Sequence, residues 1–210
     1  MNINLERDLQ KCLSIMSPDW IMQNNVNDKK TNFIYKAENL DDCLKMIESN
    51  DVDKDYALHR WYNYQTSVYC EYLFCDYGAV HEKNIYNHDV DIYINEIPYD
   101  VKLTVYPTAL LNNRQNYNLR NIQGKNKMIR WLYANQSQQS RKQLINRIYV
   151  MCDAETLNER MSMKSNFDLL RRQIAAYMNY IKSHKPNEIE IIDGNQTCKV
   201  MSELIYVSEI

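Results

Sequence analysis

The sequence predicts an α/β fold with a mixed central β-sheet flanked by helices. Apolar and polar residues alternate along Val90–Ile94 and Tyr99–Val105, which is typical of two half-buried neighbouring strands. A long stretch with helical spacing, Asp53–Asp76, precedes this pair, and a short apolar run at 147–152 follows it after a further helical segment. Helices that alternate with strands in this order place a sheet between helical layers.

Helical spacing and turn signals divide the first part of the chain. Residues 3–16 repeat apolar positions at helical intervals and predict a first helix, whereas residues 17–39 are polar and irregular. A short helix is expected over Leu40–Ile47. Asp53 is a good N-cap for the long helix, and Gly78 suits the left-handed residue that ends it. The face of this helix expected to pack inward consists of Ala57, Trp61, Tyr64, Val68 and Tyr72.

The two alternating runs predict a β-hairpin. Asn95 and Glu96 form the tight turn between its strands, and Pro107 closes the second strand. A helical segment is expected at about Gly124–Asn146, and a strand at Arg147–Cys152 follows it directly.

One helix and two strands are expected in the C-terminal part. Ser165 and Asp168 resemble a capping box that opens a helix to about Ser183. Closing strands are predicted at Glu188–Ile192 and Leu204–Val207. The core face expected for the helix consists of Phe167, Leu170, Ile174, Tyr177, Met178 and Ile181.

Length and composition predict a single globular domain over 1–210. It would have an N-terminal helical extension (1–50), a core (53–152) and a C-terminal part (153–210) with a helix and closing strands. The chain shows neither a signal-peptide pattern nor a run of apolar residues long enough for a membrane span, so a soluble, cytoplasmic protein is expected. None of the six cysteines lies in a C-x-x-C pair, which favours reduced, mostly buried thiols over a zinc ribbon.

The charge of the chain is distributed unevenly. Its net charge is −2, but the segment from Val101 to Cys152 contains nine basic residues and no acidic residue, so the remainder carries −11. A positive face on an otherwise acidic protein suits a polyanionic partner such as DNA. A solvated basic helix without a partner is the alternative interpretation.

Asp100 and Lys102 stand two apart on a predicted strand and therefore project from the same face. A hairpin turn centred on Asn95-Glu96 places Asp91 opposite Asp100, with Asp89 as the alternative acid on that face. Opposed carboxylates repel each other, and a divalent cation such as Mg²⁺ removes the conflict. The adjacent lysine can orient or deprotonate a water, or stabilise charge on a phosphorane. A hairpin face merely decorated with charges is the competing interpretation.

The run from Asp91 to Lys102 resembles the core of the PD-(D/E)XK nuclease superfamily, whose fold is called restriction-endonuclease-like. In that family an acid opens one strand, and an acid, any residue and lysine follow on the next. Val90 stands where a proline often precedes the first acid. The resemblance covers about residues 53–152 and implies a restriction-endonuclease-like core with extra N-terminal helices. An upstream helix often supplies a glutamate, and Glu71 fits that place.

The resemblance implies a Mg²⁺-dependent nuclease that hydrolyses DNA phosphodiester bonds in restriction, phage or DNA-repair biology, with Mn²⁺ as a substitute metal. Asp91, Asp100, Lys102 and Glu71 are then the catalytic residues, and the metal ligands are Asp91, Asp100, Glu71 and Val101. A polar residue on the helix after the catalytic strands often reaches the phosphate in this family. The resemblance therefore implies Gln136, Ser137 and Arg141 as nucleic-acid-binding candidates, and the basic segment adds Arg130, Lys125 and Lys127.

Two alternatives to a nuclease stay open at this point. The chain could be a nucleic-acid-binding protein with a nuclease-like fold and no turnover, or a structural subunit that holds an acidic protein. A symmetric double-strand cut would require two active sites, so a homodimer is a further expectation. The four histidines lack metal-site spacing, and His88 is the one to watch because it adjoins Asp89.

Overall fold

The computed structural model of the chain describes residues 3–17, 24–84, 86–87, 89–135, 144–193 and 196–208. Within these ranges, no helix combines the length and the apolar character needed to cross a bilayer. The six cysteines are free thiols; four of them are buried and two are partly exposed.

A six-stranded mixed sheet lies at the centre of the fold, in the order β1-β2-β3-β4-β6-β5. Its strands are β1 (Val80–His81), β2 (Ile92–Ile94), β3 (Ile97–Val105), β4 (Arg147–Cys152), β5 (Glu188–Asp193) and β6 (Gln196–Val207). The pairs β3–β4 and β4–β6 are parallel, whereas β1–β2, β2–β3 and β5–β6 are antiparallel. The parallel strands therefore present their carboxyl ends at one edge of the sheet and their amino ends at the other.

Helices cover both faces of the sheet. In chain order they are α1 (Ile3–Ile15), α2 (Asn25–Lys30), α3 (Leu40–Asn50), α4 (Lys54–Cys75), α5 (Ile122–Ala134), α6 (Leu157–Met163) and α7 (Phe167–Ile181). Two 3-10 segments, Asn32–Lys36 and Thr108–Tyr117, complete the set. The predicted mixed sheet between helices is thus confirmed at this level.

The core has two parts because the strands alternate their side chains between the two faces. Helices α1, α4 and α7 pack on one face, where Val101, Ile148 and Ile205 are buried. Helix α5 packs on the other face over Tyr149 and Leu204. Asp100 and Lys102 project toward this second face, since they alternate with Val101 along β3.

Helix ends follow local sequence signals. The Asp53 side chain accepts a hydrogen bond from the Tyr56 N–H and so caps α4, as predicted. Gly78, with φ of +104°, follows the end of that helix and is also as predicted. Helix α7 is capped by Asn166 rather than by the predicted Ser165. The capping box lies earlier, at Thr156, where the sequence reasoning placed no helix.

Two expectations for the N-terminal half are wrong in detail. The polar stretch 17–39 contains α2 and a 3-10 segment instead of being wholly irregular. The inward face predicted for α4 holds for Ala57 and Trp61, but Tyr72 is 54% exposed. The first turns of α4 are buried nearly all round, because α1, α3 and α7 all pack against this helix.

Candidate active site

The hairpin between β2 and β3 has the register that the sequence predicts. Ile92 pairs with Tyr99 and Ile94 with Ile97, and the turn residues Asn95 and Glu96 both have positive φ. Two consecutive positive φ values are the mark of the tight turn that matches strand twist. Regular pairing begins at Ile92, so the candidate acid Asp91 lies just where the two strands separate.

Asp91 contacts the main chain of β3 at this point. Its Oδ2 accepts a hydrogen bond from the Val101 N–H at 2.7 Å. The Asp100 N–H donates to the Asn146 carbonyl on the β4 side, so the N–H and C=O of Val101 face the β2 side, toward Asp91. Asp91 is half-buried, whereas the alternative acid Asp89 is exposed.

Asp100 is held by two cations. Its Oδ2 accepts from Arg147 Nε at 2.7 Å, and its Oδ1 lies 2.5 Å from Lys102 Nζ. Asp100 pairs directly with Arg147 in the parallel β3–β4 ladder, which explains how the guanidinium reaches it. The side chains of Asp100 and Arg147 are 3% and 6% exposed, whereas that of Lys102 is 48% exposed. The ammonium of Lys102 is therefore oriented by Asp100 and still accessible.

Glu71 reaches the same place from α4. Burial and the charge of Asp91 raise the pKa of the Glu71 carboxyl to about 7, although His81 and Lys102 oppose that rise. Burial likewise raises the pKa of Asp91, with Asp100 adding to the effect and the Val101 N–H and Lys102 opposing it. Glu71 and Asp91 are therefore two inward-facing acids whose ionised forms are disfavoured by burial and by mutual repulsion.

His81 joins this cluster from β1. Its Nε2 lies 3.0 Å from Glu71 Oε2, and its Nδ1 lies 2.8 Å from the Glu82 carbonyl oxygen. A carbonyl can only accept, so Nδ1 carries a proton, and a second proton lies between Nε2 and the Glu71 carboxyl. The ring also stacks on Tyr72, with centroids 5.0 Å apart.

Sequence reasoning missed both His81 and Arg147 as members of the cluster. The watched histidine, His88, lies outside the described residues. His81 gave little signal, because β1 has only two residues and no alternating pattern. Arg147 was recognised as the start of a strand, but its partner depends on which strand β4 pairs with.

The donor set partly fits a divalent cation. Among the described residues, no three His, Cys, Asp or Glu side chains are arranged to hold a metal ion. Glu71 and Asp91 nevertheless supply two buried carboxylates that repel each other, and Mg²⁺ needs only one or two carboxylates beside water and phosphate oxygens. The Val101 carbonyl faces the same side. Asp100 fits less well, since both of its oxygens are engaged by cations.

The basic segment forms a weaker positive surface than its nine cations indicate. Arg114 forms an ion pair with Asp153, and Arg147 and Lys102 share Asp100. Three of the cations therefore contact carboxylates, which offset two of their positive charges.

The nucleic-acid candidates themselves fall into three groups. Lys127 and Arg130 are exposed on α5, where Arg130 Nε donates to the Glu190 carbonyl at 3.2 Å. Lys125 is half-buried, and burial lowers its pKa while Glu203 opposes that change. The remaining candidates lie outside the described residues: Gln136, Ser137 and Arg141.

The C-terminal end of α5 lies beside the acid cluster. The guanidinium carbon of Arg147 is 5.5 Å from the ring centroid of Tyr133, and the Tyr133 hydroxyl donates to the Ile145 carbonyl at 2.6 Å. Helix α5 is thus fixed near Asp100 by its penultimate residue.

The chain was compared with protein-family profiles, with curated proteins and with solved structures, and none of the three comparisons gave a match.

Proposed function

We propose that this chain is a Mg²⁺-dependent nuclease that hydrolyses DNA phosphodiester bonds, with a restriction-endonuclease-like core. One observation carries the proposal: Glu71, Asp91 and Lys102 interact electrostatically at the place where β2 and β3 separate. Helix α4 and the β2–β3 hairpin bring two partly buried acids and an accessible lysine together there. The arrangement is unfavourable for folding unless a cation compensates the acids, which supports a functional origin.

Glu71, Asp91 and the Val101 carbonyl are the groups that would hold the metal. A bound Mg²⁺ supplies Lewis-acid stabilisation of phosphoryl oxygens and lowers the pKa of water. Glu71 must be ionised to take part, and His81 favours that ionised form through its hydrogen bond. His81 is therefore a positioning residue for Glu71 in this proposal.

Lys102 supplies a solvent-accessible positive charge at the site. Its side chain is 48% exposed, and its Nζ lies 2.5 Å from Asp100 Oδ1, so the ammonium is oriented while the side chain keeps contact with solvent. Placed beside a scissile phosphate, it orients a water or stabilises the negative charge of the phosphorane. Asp100 orients Lys102, either in addition to binding a metal or instead of binding one. The reason is that Arg147 already balances part of the negative charge of Asp100.

DNA would contact the exposed cations of α5. Lys127 and Arg130 lie one turn apart on that helix and are exposed, so they can reach phosphates. Arg114 contributes less, since both its Nη atoms donate to Asp153 at 2.8 Å.

A second candidate function is nucleic-acid binding without turnover. The contact between Asp100 and Arg147 favours it, because a buried ion pair is a structural use for an acid that the nuclease mechanism assigns to the metal.

A cleavage experiment separates these two functions. Supercoiled plasmid and linear DNA are incubated with the purified protein in Mg²⁺, in Mn²⁺ and in EDTA. We expect nicked or linear product with either metal and none in EDTA. Asp91→Asn should abolish cleavage, whereas Asp89→Asn should cleave as wild type does, since Asp89 is exposed and Asp91 is half-buried beside Val101. Metal-independent binding with no cleavage in any condition would support the binding protein instead.

A further inference from the structure

A second candidate site lies at the carboxyl ends of the parallel strands β3, β4 and β6. Two adjoining cavities of about 470 and 370 Å³ open there, and they share four lining residues: Arg114, Arg120, Asp153 and Tyr206. Ligands of open α/β sheets commonly bind in the crevice outside the carboxyl ends of the strands. We call this space the carboxyl-end crevice.

A network of contacts around Asp153 fixes the geometry of the crevice. Arg114 donates from Nη1 and Nη2 to the two carboxylate oxygens of Asp153, each at 2.8 Å. The guanidinium carbon also lies 4.8 Å from the ring centroid of Tyr106, and the Tyr206 hydroxyl donates to Asp153 Oδ2 at 3.1 Å. A two-pronged arginine contact of this kind holds its partners in one geometry.

A tyrosine hydroxyl without a hydrogen-bond partner in the described part of the chain lies beside this network. Tyr106 is 1% exposed, and its Oη has no hydrogen-bond partner among the described residues. The phenol interacts electrostatically with Arg114, Asp153, Tyr117 and Tyr206, all of which line the crevice beside it. Buried hydroxyls are nearly always paired, and this unpaired one belongs to a residue in the wall of the cavity of about 370 Å³, where a ligand can supply the acceptor.

The charge of the crevice favours an anion. Exposed Arg120 lines both cavities, and buried Arg160 stands behind them, with its Nη1 donating to the Tyr106 carbonyl at 2.8 Å. The cavity that Tyr106 lines has two arginines, Arg114 and Arg120, and one carboxylate, Asp153, in its wall, whereas Glu155 lines the adjoining cavity. The walls are aromatic as well, because Tyr117 and Tyr206 are partly exposed to the space.

We propose that the carboxyl-end crevice binds a nucleoside 5′-phosphate, either free or at the end of a nucleic-acid strand. The Tyr106 hydroxyl and Arg120 hold the phosphate oxygens, and the planar base stacks on Tyr117. Asp100 and Tyr106 are six residues apart on one strand, roughly 20 Å, so this site is separate from the proposed nuclease site. Its test does not depend on DNA cleavage.

Calorimetric titration in EDTA tests the proposal with AMP, adenosine and inorganic phosphate as probes. We expect saturable binding of AMP, with adenosine and phosphate each at least about tenfold weaker, since each retains only part of the contacts. Tyr106→Phe should weaken AMP binding by about tenfold or more, the loss typical of one hydrogen bond to a charged group, with no fall in melting temperature because the hydroxyl has no partner to lose. Arg120→Gln should weaken it similarly.

Matched variants exclude general effects. Tyr99→Phe removes an equally buried hydroxyl that lacks a partner among the described residues, on the opposite sheet face, and Arg172→Gln removes an exposed arginine of α7. Both should bind AMP as wild type does. A tetranucleotide with a 5′-phosphate, compared with the same strand lacking it, distinguishes a strand end from a free nucleotide.

Three results would overturn the proposal. The first result is AMP binding with wild-type affinity by both Tyr106→Phe and Arg120→Gln, and the second is no saturable AMP binding at all. Either would mean that the Arg114–Asp153 ion pair only joins the Thr108–Tyr117 segment to β4. Equal affinity for inorganic phosphate and AMP would remove the nucleotide from the proposal and leave a plain anion site.

Discussion

The carboxylate of Asp100 accepts a hydrogen bond from Arg147 Nε at 2.7 Å, across the parallel pair β3–β4. Both side chains are buried, and Lys102 contacts the other oxygen of the same carboxylate. The acid of the D-x-K pattern is therefore charge-balanced by the fold. Burial raises the pKa values of Glu71 and Asp91 instead, although His81 and Lys102 partly offset that rise.

Loss of Arg147 should destabilise the fold. Arg147→Met leaves the Asp100 carboxylate buried with only Lys102 beside it, and breaking a buried ion pair typically costs about 3–5 kcal/mol. Urea denaturation of the metal-free protein measures this loss. The double variant Asp100→Asn/Arg147→Met should lose less than Arg147→Met alone, because no buried charge remains. A single-variant loss below about 1 kcal/mol would mean that the pair is effectively solvated.

The stability of the metal-free protein should fall as pH rises through neutrality. The folded pKa of Glu71, about 7, lies above its ordinary value of 4.5. Below both values the carboxyl is protonated in the folded and unfolded chains, so no cost arises. Between them only the unfolded chain ionises, so stability decreases with pH, by on the order of 3 kcal/mol once pH exceeds the folded pKa.

Denaturation at pH 5 and pH 8 in EDTA checks this pH dependence. Glu71→Gln should flatten it, whereas Glu82→Gln should leave it unchanged, because hydrogen bonds lower the Glu82 pKa to about 2, outside this window. Mg²⁺ should restore stability at pH 8 in wild type but not in Glu71→Gln. A flat wild-type profile would show that Glu71 is solvated.

The exposed face of α5 should set the salt dependence of DNA binding. Lys127→Ala and Arg130→Ala should each weaken binding and reduce the slope of log K against log salt by about one unit per lost phosphate contact. Fluorescence anisotropy with a labelled duplex in EDTA measures that slope. Arg172→Ala on α7 is the matched control. An unchanged slope in both α5 variants would place DNA on another surface.

Short-range signals explain why the hairpin and its register were predictable. Alternation fixes which residues face the core, and a two-residue turn at Asn95-Glu96 leaves one register that keeps Ile92 and Tyr99 inside. The caps of α4 are equally local. These signals placed the D-x-K pattern on β3 and Asp91 just before β2.

Long-range packing explains what could not be predicted. The partner of Asp100 depends on β4 lying parallel to β3, which no local pattern specifies. Helix α4 buries polar residues such as Arg60, which Thr31 and the Asp28 carbonyl satisfy with contacts at 2.6 Å. A prediction based on a single apolar stripe therefore assigns the buried and exposed faces of α4 incorrectly. The contact between Glu71 and His81 likewise depends on the packing of the folded chain.

The Lys102→Met variant tests whether Lys102 contributes to DNA cleavage. It keeps the aliphatic stem and the strand position but removes the ammonium, so DNA and Mg²⁺ should still bind. Single-turnover cleavage of plasmid in Mg²⁺ should slow by roughly two or more orders of magnitude, as expected for the loss of one electrostatic or general acid–base group. The matched control Lys127→Met should keep the wild-type rate constant at saturating protein. Cleavage by Lys102→Met at the wild-type rate would contradict the account and leave Asp100 and Lys102 as a charged hairpin face without a catalytic role.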